Sequence, residues 1–107
     1  MPIKVPRGQS DDTIDQIIGV LGNYQADYPD AQIDLYRQNA VSVRVRIIDP
    51  SFVGQDRIQR HKLVWSYLDP LPEEVQSDIS TLILLAPNET KKSIANVEFD
   101  DPLPSRF

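Results

Sequence analysis

FVGQDRIQRHKLVWSYL, residues 52–68, is the stretch from which the rest of the chain is read. A loop carrying Phe52 and Gly54 feeds a helix with Arg60, His61 and Lys62 in its middle. On a 3.6-residue wheel Ile58, His61, Val64, Trp65 and Leu68 share one arc, while Arg60, Lys62 and Ser66 fall outside it. The wheel turns His61 toward the core, as a packed and hydrogen-bonded residue, and turns Arg60 and Lys62 toward solvent. Asp49 and Pro50 end whatever precedes the loop. The DPLP segment at 69–72 closes the helix and opens a shorter one reaching about Ile79, with Glu73 and Glu74 suited to its positive first turn.

Upstream, two periods follow one another. Ile14, Ile17, Ile18, Leu21, Tyr24 and Tyr28 recur at three- and four-residue steps, the stripe of an amphipathic helix that Ser10, Asp11 or Asp12 can cap and Pro29 must stop. Gly19 and Gly22 are costly inside such a helix, so they are expected to permit close packing against a sheet. From Ala31 the period is two. Ala31, Ile33 and Leu35 alternate with polar residues, Gln38 and Asn39 turn the chain, and Val41, Val43, Val45 and Ile47 form the inward side of a second strand. Asp34 is expected to face outward and to form a solvated ion pair with Arg44 or Arg46.

Downstream, TLILLA at 81–86 is a short continuous apolar run, as in a strand covered on both faces. The residues from Asn88 to Asn96 are expected to make a last helical turn or two. These segments predict an α+β fold of order α-β-β-α-α-β, with a mixed three-stranded sheet and helices packed on one face. The domain spans 10–96, preceded by a flexible lead-in at 1–9 and followed by an extended acidic tail at 97–107.

A chain of 107 residues suits one domain. Without cysteine it has no disulfide, thiolate ligand or thiol nucleophile. No apolar signal core opens it and no window approaches a membrane span, so the cytoplasm is the expected compartment. The net charge of -5 is unevenly placed: residues 36–65 sum to +4 and the flanks to -9.

The spacing F-x-G-x(5)-R-H followed by KLVWSYL resembles the BolA family of small stress-linked proteins, on Phe52, Gly54, Arg60, His61 and Val64. The resemblance covers about 14–87 and implies the same α-β-β-α-α-β order, shared with type II KH folds. Some BolA proteins join a monothiol glutaredoxin and share an iron-sulfur cluster. They use a histidine just before the last strand and a second histidine or cysteine in the hairpin loop. Here the first position matches Ser80 and residues 38–40 offer neither donor, so the resemblance implies a divergent member without cluster ligands. No metal or cofactor is expected, and a lone His61 cannot build a multi-imidazole site.

The chain has no P-loop, G-x-G-x-x-G, H-E-x-x-H or G-x-S-x-G, and its acidic pairs read as caps or solvated charge; no enzymatic activity is expected. A protein-binding adaptor is the first functional class, with a glutaredoxin-like partner or a second copy of the chain. A nucleic-acid module is the alternative, through Arg44, Arg46, Arg57, Arg60 and Lys62. Gly19 and Gly22 match a G-x-x-G clamp by spacing but fall inside the first helix rather than in a loop.

Overall fold

The structure is a computed structural model that describes residues 3, 4, 11–91, 93, 96, 97 and 99. Elements run β1 (Ile3–Lys4), α1 (Asp12–Asp27), β2 (Gln32–Asn39), β3 (Ser42–Ile48), α2 (Arg57–Leu68), α3 (Glu73–Asp78) and β4 (Ile79–Leu85), with short 3-10 turns at Pro50–Phe52 and Pro87–Glu89. The α+β class and the element order are those expected from the periods. The sheet is mixed: β2 and β3 are antiparallel, and β3 and β4 are parallel. A fourth strand extends it. Within the stretch read as a lead-in, Ile3 and Lys4 pair in parallel with Ile33 and Asp34, giving the order β1-β2-β3-β4.

The helices cover one sheet face. Ile14, Ile17, Leu21 and Tyr24 of α1 meet Ile33 and Leu35 of β2 and Val43, Val45 and Ile47 of β3, all fully buried. Asp11 caps α1 by accepting from Ile14 N–H at 2.9 Å, and Arg37 reaches back to the same carboxylate at 2.5 Å. The two glycines of α1 do not permit close packing: a Cβ built at Gly19 or Gly22 would meet nothing within 4 Å.

The hairpin turns later than expected. Asn39 still pairs with Ser42, Gln38 is bulged out of register, and Asn39 Oδ1 accepts from Val41 N–H at 2.9 Å. Ala40 and Val41 therefore occupy the turn, and Val41 is 69% exposed instead of buried.

The other sheet face also differs from the expectation. Asp34 lies opposite Arg46 and accepts from it at 2.6 Å, but the pair is buried rather than solvated. Its cover comes from Phe99, whose ring lies 4.5 Å from the Arg46 guanidinium and 4.7 Å from the Tyr36 ring. Tyr36 hydroxyl donates to Phe99 carbonyl at 2.9 Å, and Ile83 completes this second, smaller cluster. Of the expected extended tail, Val97 and Phe99 are described and are helical; residues 100–107 lie outside the described residues. No described helix is long and apolar enough to cross a membrane.

Candidate functional site

The loop before α2 is tied at both ends. Asp49, 2% exposed, accepts from Tyr24 hydroxyl at 2.6 Å and from Ser51 N–H at 2.9 Å, so α1 holds the loop's entrance. Burial, reinforced by the Asp49 carboxylate, pushes the Tyr24 hydroxyl far above its usual range, so it stays a donor. Phe52 plugs the core. Gly54 then reverses the chain with φ 84°, a left-handed conformation that a side chain resists. At the exit Asp56 and Gln59 form a reciprocal capping box at 2.8 and 2.9 Å, which starts α2.

The inward face of α2 is not the arc expected from hydrophobicity. Its buried residues are Arg60, Val64 and Leu68, one every four positions, whereas Ile58 is 66% exposed. The reason is Arg60. Its Nε donates to Gln55 O at 3.0 Å, Nη1 to Leu84 O at 3.1 Å and Nη2 to Phe52 O at 2.9 Å. Glu89 takes the other two donors in a fork, at 2.6 and 2.9 Å. All five guanidinium N–H groups thereby have partners, and the guanidinium also lies 5.5 Å from the centre of the Phe52 ring. A cation so fully satisfied can enter a core where an unpaired one could not.

The pair also finishes the sheet. Asp49 N–H donates to Leu85 O, so Leu85 faces β3; the residues alternating with it, Leu82, Leu84 and Ala86, face the opposite, open edge. There Arg60 donates to Leu84 O and Glu89 accepts from Ala86 N–H at 3.0 Å, as a neighbouring strand would. The hydrogen bonds from Arg60 and Ala86 hold the Glu89 carboxyl well below its usual range, at about 2.

Beside this clasp an open groove of about 620 Å³ runs between α2 and β4, walled by Arg57 and His61 and floored by residues 81–85. His61 is half-buried in the groove wall and makes no hydrogen bond among the described residues, unlike the packed, hydrogen-bonded residue that the wheel implied. The hydrophobic arc has His61 at its middle and Ile58 at one edge, whereas the buried face of α2 is centred on Val64, roughly a sixth of a turn away. A second, apolar depression on the outer side of α2 lies among Arg57, Ile58, His61, Lys62 and Trp65.

The five expected cations do not converge. Arg44 and Arg46 sit on the sheet face opposite the helices, where Arg44 bonds Gln38 and Tyr36 and Arg46 bonds Asp34 and Asn96. Arg60 is inside. Arg57 and Lys62 alone are exposed on α2. Among the motif residues, Phe52 and Val64 are core, Gly54 is the turn and Arg60 the clasp; Arg60 and His61 both line the groove, and His61 does so without a hydrogen bond among the described residues. Glu89 and Phe99 were missed from sequence. Glu89 had a signal, an acidic residue three positions after the strand-ending Ala86, but its partner Arg60 is 29 residues away.

This architecture is an α+β fold of the BolA-like, type II KH-like arrangement. The solved structure of BolA1 from Arabidopsis thaliana is similar, with a TM-score of 0.50 and 20% identity over 75% of this chain and 98% of that one. The chain has a BolA-like fold. Neither a family model nor a curated protein matches its sequence.

Proposed function

We propose that this protein is a small, non-enzymatic regulatory adaptor of the BolA kind, binding a protein partner and supplying no iron-sulfur ligands of its own. The observation that carries the reading is the outer face of α2. Ile58, 66% exposed, and half-buried Trp65 form an apolar patch edged by Arg57 and Lys62, on a helix whose inward contacts are already complete. Apolar centres with a charged rim suit protein partners. The family resemblance makes a monothiol glutaredoxin-like protein the first partner to try, with a second copy of the chain behind it.

The donor set does not fit a cluster. Ser80, which the resemblance matches to a histidine just before the last strand, lies inside β4, is exposed and has its hydroxyl 3.5 Å from Val43 O, while Asn39, Ala40 and Val41 form the hairpin end. A serine hydroxyl is a poor match for iron beside thiolate or imidazole. No described group of three or more histidine or acidic residues is placed to hold a metal.

The nucleic-acid reading loses support because, of the five cations expected to carry it, Arg57 and Lys62 alone are exposed. The test is affinity capture from the native extract with and without nuclease treatment, with the Arg57→Glu/Lys62→Glu variant in parallel. A stoichiometric protein retained by the wild type and lost by the variant supports the adaptor. Recovery only of nucleic acid, abolished by nuclease, overturns it.

A further inference from the structure

The open edge of β4 is capped at one end only. Beyond the clasp, Leu82 N–H, Leu82 C=O and Leu84 N–H face away from β3, and no described residue bonds them there. The groove is lined by five consecutive residues of β4, 81–85, so the strand presents its edge to that groove and not merely one face. Unpaired N–H and C=O groups at strand spacing are a template for another strand.

We propose that this edge takes an extended, acidic peptide segment of a protein partner by strand addition. The inference deepens the adaptor reading and rests on it. Charge selects the occupant: Arg57 and His61 wall the groove, and Arg57 has no ion-pair partner among the described residues. Glu89, the acidic group at the groove's end, is already held by Arg60. A second copy paired edge to edge on β4 would bring the same Arg57 and His61 against these. A nucleic-acid strand would meet one exposed arginine and an edge whose alternating donors and acceptor match a peptide backbone. The bound segment lies alongside Leu82 and Leu84, ends where the clasp begins, and sets its carboxylates toward Arg57.

The test is 15N–1H NMR of the full chain with a ten-residue peptide of alternating aspartate and valine, against a lysine and valine control and a ten-nucleotide single-stranded DNA. Shifts centred on Leu82 and Leu84, with slowed amide exchange at both, are expected with the acidic peptide alone. The Arg57→Glu variant, altered only at an exposed site, should weaken that binding at least about tenfold while its spectrum stays folded. The proposal is overturned if the edge amides do not respond at millimolar peptide, if the basic peptide or the DNA binds as well, or if these amides are instead protected by self-association as concentration rises. A partner captured from extract that leaves Leu82 and Leu84 unperturbed would sink strand addition and leave the adaptor standing.

Discussion

Replacing Arg60 with glutamine should be among the most damaging single changes in this protein, although it alters one polar residue on a helix. The substitution removes the donors to Leu84 O and Phe52 O, both buried bonds. Each buried acceptor left without a donor costs about 1–3 kcal/mol. Glu89 is 39% exposed and can turn to water, so its loss adds little. Relief from holding a cation inside offsets part of the damage. A net loss of about 3 kcal/mol follows, or roughly 12 °C in Tm at about 4 °C per kcal/mol for a domain of this size. Arg60→Lys should recover only a fraction, since an ammonium cannot serve three carbonyls and a forked carboxylate together. Urea unfolding of wild type, Arg60→Gln, Glu89→Gln and the double variant would measure each change and the coupling. If Arg60→Gln falls within 1 kcal/mol of wild type, the clasp does not exist as described.

The remaining predictions are smaller. Because the folded Glu89 carboxyl titrates near 2, below its ordinary value of about 4.3, the stability it contributes is present above the ordinary value and lost as pH falls toward 2. Glu89→Gln should therefore flatten the stability profile in that window, with an amplitude reduced by screening, and an unchanged profile would refute the assignment. Gly19→Ala should stabilise by about 1 kcal/mol, since the position is helical with nothing within 4 Å, while Gly54→Ala should cost about 1–2 kcal/mol at its positive φ; thermal melts of the two variants check the opposite signs. Duplex DNA binding through the exposed Arg57 and Lys62 of α2 should show a log-log salt slope of roughly -2, at about -0.9 for each cation. A slope near -5 in a salt-titrated mobility shift would mean that cations outside α2's exposed face also take part.

Most of the fold was legible because it is written in periods. The three- and four-residue steps of α1, the alternation of β2 and β3 and the apolar run of β4 each identify an element without knowledge of its neighbours. What stayed hidden depends on residues far apart in sequence. Hydrophobicity puts Ile58 inside and Arg60 outside, and the acceptors that reverse that order include Leu84 and Glu89, 24 and 29 residues beyond Arg60. Alternation left Asp34 with Arg44 or Arg46 as its partner, the register selects Arg46, and the burial of that pair depends on Phe99, in a segment that carries no period. The hairpin turn slipped because the bulge at Gln38 and the side-chain bond of Asn39 leave no mark in an alternating pattern.

The adaptor reading is tested most directly by titrating the isotope-labelled protein with an iron-free monothiol glutaredoxin, and separately with duplex DNA, at low salt. The account predicts a saturable complex with the protein partner that forms without iron and shifts residues on the outer face of α2, Ile58 and Trp65 among them, while DNA shifts them weakly or not at all. Saturable DNA binding through that face, with no response to the glutaredoxin, would contradict it.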